Sequence, residues 1–113
     1  MYKIMIKTPV ELRILIKNFK FIEHEIYDFC IYGKEDDLTV DTVCYVDHYP
    51  QEENERDYYS EFVNNNNLQL ICSGENFFSV VSLCYEQKED ATVEEIVKCL
   101  NHYLEEDDFL DLN

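Results

Sequence analysis

The stretch ATVEEIVKCLNHYLEEDDFLDL, residues 91–112, is the clearest periodic segment of the chain. Its apolar residues recur at the three- and four-residue spacing that forms one stripe along an α-helix. Thr92 is a natural N-cap, and Glu95 stands three positions later to complete a capping box. Past the stripe the chain runs into four consecutive acids, residues 105–108, with Phe109 beside them. We therefore predict a helix with one face in a core and a dense anionic end.

The first half of the chain predicts one helix followed by two strands. Residues 9–19 carry helical apolar spacing after a capping box that starts at Thr8, with Pro9 at the first helical position. Residues 22–32 and 38–46 are rich in β-branched and aromatic side chains, which favours strands. The short charged connection between them predicts a hairpin.

The second half adds a short helical stripe, a loop and two more strands. Residues 58–63 carry the stripe, and the four asparagines at 64–67 predict a loop. Residues 68–73 and 77–85 predict strands, the second of them covered on both faces because it is apolar throughout. The expected fold is α+β: an antiparallel sheet of about four strands with three helices, in the order α-β-β-α-β-β-α.

Composition predicts one globular domain, residues 1–113, rather than a disordered acidic tail. The chain is 46% hydrophobic and contains nine tyrosines and seven phenylalanines, which is enough apolar surface for a core. Its net charge is −16, and residues 1–20 contribute +4, so residues 21–113 carry −20. A field of that sign repels nucleic acid and speeds encounter with a basic protein.

The five cysteines are odd in number and show no C-x-x-C spacing. Each lies inside a predicted strand or helix, so we expect free buried thiols rather than disulfides or metal ligands. No signal peptide and no apolar run of membrane-spanning length is visible, so a cytoplasmic location is expected.

No residue pattern predicts catalysis, a cofactor or a metal site. Gly33 and Gly74 are the only glycines, and neither lies in a phosphate-binding context. His24, His48 and His102 fit no zinc motif. The alternatives are a Cys–His pair that meets in space, a carboxylate pair, or cation binding by residues 105–108.

Acids concentrate at residues 35–37, 52–57 and 105–111, and aromatic residues lie beside each concentration. Carboxylates next to tyrosines are suited to holding Lys and Arg side chains, although any one cluster could be only a solvated face. The residues that we predict to bind a partner are Glu52, Glu53, Glu55, Asp57, Tyr58, Glu105, Asp107 and Asp108.

Two segments of the chain resemble a known protein family. One is the last helix, which has a tyrosine before an acidic run and a D-F-L ending, and the other is LTVDTVCYVD, residues 38–47. The chain resembles the small acidic immunity proteins of bacterial contact-dependent growth inhibition and related polymorphic toxin systems, over residues 38–48 and 78–111. The resemblance implies a non-enzymatic cytosolic protein that binds its cognate basic toxin domain, frequently a nuclease, and blocks the active site. The alternative is an acidic adaptor or nucleic-acid mimic that binds a basic DNA-handling protein.

Overall fold

The computed structural model describes residues 2–35 and 37–112. Within those residues the chain forms a four-stranded antiparallel sheet, a separate two-stranded sheet and five helices. The strands are β1 (Val10–Glu11), β2 (Phe29–Gly33), β3 (Val43–His48), β4 (Gln51–Glu53), β5 (Arg56–Tyr58) and β6 (Gln69–Ser73). The helices are α1 (Leu12–Lys17), α2 (Glu23–Ile26), α3 (Glu61–Asn65), α4 (Gly74–Gln87) and α5 (Val93–Glu106). None of these helices combines the length and the apolar character that a membrane span requires.

The larger sheet has the strand order β1-β3-β2-β6, and each neighbouring pair is antiparallel. β2 pairs with β3 from Phe29↔His48 to Gly33↔Cys44, and Gly33 also faces Gln69 of β6. His48 therefore marks one end of the sheet, and Gly33 with Gln69 marks the other. Because a strand rises about 3.3 Å per residue, the two ends lie roughly 13 Å apart along β2.

The main core lies between one face of the sheet and helices α1, α4 and α5. From α5 it takes Ile96, Val97 and Leu100, each at most 5% exposed, which confirms the predicted apolar stripe. The predicted capping box is also present at the start of α5. The Glu95 N–H donates to Thr92 Oγ1 over 3.2 Å, and the Thr92 N–H donates to Glu95 Oε1 over 3.1 Å.

A smaller cluster occupies the opposite face of the sheet. Cys30 and Tyr32 belong to it, whereas Ile31 between them belongs to the main core. Successive side chains of a strand point to opposite faces, so this alternation separates the two clusters. Val63 and Leu68 cover the smaller cluster from the segment that follows the two-stranded sheet.

The predicted strand at residues 77–85 is wrong, because this segment is the centre of α4. Its buried positions repeat at helical intervals of three and four: Phe77, Val80, Val81 and Cys84. Ser73 caps the helix, its hydroxyl accepting from the Asn76 N–H over 3.1 Å. Its half-buried positions Phe78, Leu83 and Tyr85 are also apolar, so no polar face reveals the helical period and the segment imitates a buried strand.

The predicted first helix, residues 9–19, is shorter because the sheet uses its beginning. Val10–Glu11 pairs with β3 as the short strand β1. The Leu12 N–H at the start of α1 donates to the Thr42 carbonyl over 2.8 Å. The carbonyl of the residue before β3 thus replaces the predicted cap at Thr8, whose hydroxyl donates to the Ile6 carbonyl instead.

The remaining predicted segments are partly correct. Residues 29–33 and 43–48 pair as predicted, but the second strand, predicted over residues 38–46, begins only at Val43, so the connection is longer than predicted. The first half of the predicted strand 22–32 folds as α2 and buries Ile26. Residues 51–58 form the β4–β5 hairpin, and the predicted helical stripe of residues 58–63 begins only at Glu61. Both faces of this hairpin are exposed, so no apolar alternation signals its strands.

The α+β class and the antiparallel four-stranded sheet are confirmed. The predicted three helices and the order α-β-β-α-β-β-α are wrong, since the described residues contain five helices and an additional hairpin. The fourth strand of the sheet is Val10–Glu11, not residues 77–85.

We expect Gly74→Ala to lower the free energy of unfolding by about 1–3 kcal/mol. A Cβ at Gly74 would overlap the backbone carbonyl of Ile26, which side-chain rotation cannot relieve. Helix propensity alone predicts the opposite sign, because alanine is the better helix former. Denaturant unfolding measures the change. In the control Gly33→Ala, the added Cβ meets the flexible end of Ile71 at 2.7 Å, so the loss should be smaller.

Candidate functional site

The β4–β5 hairpin, residues 51–58, is an exposed arm that we call the acidic hairpin. Glu52 faces Asp57 across it, and Glu53 faces Arg56. Its turn consists of Asn54 and Glu55, with φ angles of 54° and 65°. Positive φ at both central residues is the geometry of a type I′ turn, which matches the twist of the two strands.

Asp47 closes the base of the acidic hairpin. Its carboxylate is fully buried and accepts from the Ser60 hydroxyl over 2.6 Å and from the His48 N–H over 2.8 Å. His48 ends β3 before the hairpin, and Ser60 follows the hairpin. One buried group therefore binds the outgoing and the returning chain. The Ser60 hydroxyl also caps α3, accepting from the Val63 N–H over 3.2 Å.

Tyr32 supports the same base from the smaller cluster. Its hydroxyl donates to the His48 carbonyl over 2.7 Å, and its ring meets Tyr59 edge-on at 6.1 Å between centroids. Burial raises the pKa of the Tyr32 hydroxyl, so the group stays protonated and keeps donating. A rigid, desolvated floor thus holds both strands of the hairpin where they leave the sheet.

The acidic hairpin carries four carboxylates and one cation, Arg56, which lies opposite Glu53. Like charges directly opposite each other destabilise a strand pair, and Glu52 and Asp57 are such a pair. The two ion pairs within the described residues, Arg13–Glu11 and Lys88–Glu95, lie in other parts of the fold. Glu55 adds a further cost, because a left-handed backbone is unfavourable for any residue with a Cβ.

The end of α5 carries the second predicted cluster. Glu105 and Glu106 close the helix, and Asp107 leaves it in a left-handed conformation with φ 54°. The last turn contains no basic residue, although the C-terminus of a helix favours cations. The Asp108 carboxylate accepts from the Phe109 N–H over 2.8 Å.

Gln87 of α4 fixes the chain beyond this cluster. Its side-chain amide donates to the Leu110 carbonyl over 3.2 Å and accepts from the Leu112 N–H over 2.7 Å. Leu110 and Leu112 pack on the main core. The four acids at residues 105–108 therefore span the end of α5 and the turn after it, and the chain beyond them is fixed by Gln87.

A groove of about 520 Å³ adjoins this end of α5, and we call it the acidic groove. Its lining residues are Glu35, Asp37, Gln69, Leu70, Ile71, Asn101, Leu104 and Glu105. Leu70 and Leu104 are 41% and 37% exposed, so the groove has an open apolar floor. Three carboxylates from two distant parts of the sequence surround that floor.

Two polar contacts fix the wall of the acidic groove. The Asn101 side-chain amide accepts from the Leu38 N–H and donates to the Leu38 carbonyl, both over 2.9 Å. The buried Thr42 hydroxyl donates to Glu35 Oε2 over 2.9 Å. The loop that carries Glu35 and Asp37 is therefore tied to α5 and to the start of β3.

The structure divides the predicted partner-binding residues between two surfaces. The acidic hairpin carries Glu52, Glu53, Glu55, Asp57 and Tyr58, all exposed, and leaves the sheet at its His48 end. Glu105, Asp107 and Asp108 lie at the end of α5, and Glu105 lines the groove at the Gln69 end of the sheet. The predicted set is not one site.

Of the eight lining residues of the acidic groove the prediction included only Glu105, and the seven that it omitted include Glu35, Asp37, Leu70 and Leu104. The acidic concentration at residues 35–37 was a signal for the first two. No sequence signal joined them to Glu105, because the contact depends on how the loop packs against α5.

The cysteines are free and buried, as the sequence predicts. Burial raises the pKa of Cys30 to about 11 and the pKa values of Cys44 and Cys72 to about 12. These thiols are held in the protonated form near neutral pH, in which they are poor nucleophiles. His24 and His48 are exposed on the surface.

Residues 10–112 match the family model described as Domain of unknown function (DUF7716). The chain belongs to the DUF7716 family. No curated protein and no solved structure gives a significant match. The acidic hairpin and the acidic groove both lie within the region that the DUF7716 model covers.

Ser60→Ala should lower the free energy of unfolding of this DUF7716 protein by about 1–3 kcal/mol. It removes the cap of α3 and one of the hydrogen bonds to the buried Asp47 carboxylate. The matched control is Ser73→Ala, which removes the equivalent cap of α4 and should cost about 1 kcal/mol. Equal losses in denaturant unfolding would contradict a supporting role for Asp47.

Glu55→Gly should raise stability by about 0.5–1 kcal/mol and slow amide hydrogen exchange in residues 51–58. Glycine adopts the positive φ of this position without steric cost. Glu53→Gly, at a strand position of the same hairpin, is the control and should lower stability. A loss of stability in Glu55→Gly would show that the turn is not strained.

Proposed function

We propose that this DUF7716 protein is a cytosolic immunity-type inhibitor that binds a basic toxin domain, most often a nuclease, through the acidic hairpin. The observation that carries the proposal is an exposed hairpin, hydrogen-bonded at its base, that presents Glu52, Glu53, Glu55 and Asp57 with no ion pair to them in the described part of the chain. Tyr58, 49% exposed, lies at the end of β5 and adds an aromatic contact.

Inhibition of this kind requires charge placement and no catalysis. A nuclease binds phosphates with Lys and Arg side chains. Carboxylates on a projecting hairpin can occupy the same positions, while the bulk of the inhibitor excludes the substrate. The net charge of −16 increases the rate of encounter with such a surface.

The unfavourable features of the acidic hairpin support a role in binding. The Glu52–Asp57 pair and the left-handed Glu55 each cost stability, and neither serves the core. A basic partner would neutralise the facing carboxylates. Relief of the repulsion between these carboxylates would then contribute to the affinity of the complex.

A nucleic-acid mimic that binds a basic DNA-handling protein is the second candidate. Glu52 and Asp57, facing each other, present two carboxylates side by side, as neighbouring phosphates do. Growth rescue distinguishes the two. An immunity protein protects cells that express the toxin domain encoded by the neighbouring reading frame, whereas a mimic does not.

The double variant Glu53→Lys/Asp57→Lys should slow association with that toxin domain at least about tenfold at low salt and flatten its salt dependence. Both substitutions are on the exposed hairpin, so the fold should be retained. Stopped-flow association rates at several ionic strengths measure the effect.

The matched control is Glu23→Lys/Glu25→Lys on α2, which makes the same change in net charge at two exposed positions. Its association rate should fall much less. If the two variants slow association equally, only net charge matters and the hairpin is not the binding site.

A further inference from the structure

The two edges of the four-stranded sheet differ in their protection. Edge strands are normally protected by short length, charge or proline, because an unpaired edge can accept another strand. β1 has all three kinds of protection: it spans two residues, follows Pro9, and contains Glu11, which pairs with Arg13 at 3.0 Å. β6 spans five residues, QLICS, with no charge and no proline.

β6 has a strand neighbour on one side only within the described part of the chain, where it pairs with β2. Its outer edge therefore has no strand partner there, and Gln69 and Leu70, at the start of the strand, are exposed. The pairing with β2 is irregular at Ile71, since Cys72 faces Ile31 and Leu70 faces Tyr32. This extra residue lets Leu70 and Ile71, adjacent in sequence, both line the acidic groove.

The residues that line the acidic groove indicate which type of side chain from an added strand would fit into it. Its floor is apolar at Leu70 and Leu104, and its rim carries the carboxylates of Glu35, Asp37 and Glu105. An aliphatic stem ending in a cation matches that arrangement, because the stem packs on the floor and the charge meets the rim.

We propose that an extended segment of a basic protein adds to the outer edge of β6 and places a Lys or Arg side chain in the acidic groove. This inference deepens the proposed function and rests on it for the basic character of the partner. A second copy of the chain is a poor occupant, since two proteins of charge −16 would bring two acidic rims together. Backbone pairing supplies affinity, and the groove supplies selectivity for the cation.

The two contact surfaces then have separate tasks. The acidic hairpin leaves the sheet at its His48 end, and the acidic groove lies at the Gln69 end. A partner that binds both surfaces would contact the protein at both ends of the sheet. Substitutions at one end should leave the other contact intact.

The test selects a phage-displayed library of random peptides on the immobilised full chain and titrates one enriched synthetic peptide by NMR. Enriched peptides should contain Lys or Arg among β-branched or aromatic residues. Peptide binding should shift and protect the backbone amides of residues 69–73. Leu70→Lys and Glu105→Lys should each weaken peptide binding at least about tenfold.

Phe21→Lys is the control, because Phe21 is 56% exposed and lies between α1 and α2, outside the residues that line the groove. It should bind the peptide as the unsubstituted chain does. Circular dichroism and unfolding of each variant verify that the fold is intact. Binding that Leu70→Lys leaves unchanged, enrichment of peptides without cations, or Leu70-dependent dimers of the chain would each overturn the inference.

The double variant Glu53→Lys/Asp57→Lys separates this inference from the proposed function. It should lose rapid association with the toxin domain but retain the β6-directed peptide. Toxin rescue with unchanged peptide binding in Leu70→Lys would overturn the β6 site and leave the hairpin proposal standing. Peptide binding at β6 without toxin rescue would support the site and overturn the immunity function.

Discussion

The buried Asp47 carboxylate is the contact on which the exposed acidic arm depends. An isolated charge in the interior of a protein is very costly, so the bonds from Ser60 and His48 are needed to keep Asp47 there. These two residues are also the points where the chain leaves the sheet and returns to it. A single buried group therefore closes the loop that carries the acidic hairpin, and Tyr32 reinforces that closure. Without a fixed base, the hairpin carboxylates would have no defined direction.

Several surface features lower the stability of the free protein because they place negative charges in unfavourable positions. Acids face each other in the hairpin, and acids end α5 where the helix dipole favours cations. Stability optimisation alone would place lysines at several of these positions. A positive charge from another molecule would relieve the unfavourable electrostatics at each of these positions. For that reason we propose a basic partner. The capped start of α5 and its Lys88–Glu95 ion pair show that the same helix follows the usual electrostatic rules elsewhere.

The last helix, predicted over residues 91–112, has the predicted cap and buried stripe but ends at Glu106, whereas the α4 segment was wrongly predicted as a strand. α5 has a polar side and a buried side, so its period is visible in the sequence. α4 also has one buried side, but apolar residues at half-buried positions hide the helical spacing of Phe77, Val80 and Cys84. The exposed hairpin was missed for the opposite reason, since neither of its faces is buried. Apolar periodicity identifies a helix or strand when its buried side is apolar and its exposed side is polar.

The sequence by itself determined the charge, the α+β class, the capped amphipathic α5 and the acidic residues that lie on the two surfaces. These follow from composition and local spacing, which need no knowledge of the rest of the fold. Only the tertiary structure decided that the hairpin and the end of α5 lie at opposite ends of a sheet, and that Glu35 and Glu105 both line the acidic groove. Contacts such as Asn101 with Leu38 join residues far apart in the chain, and local sequence carries no record of such pairings.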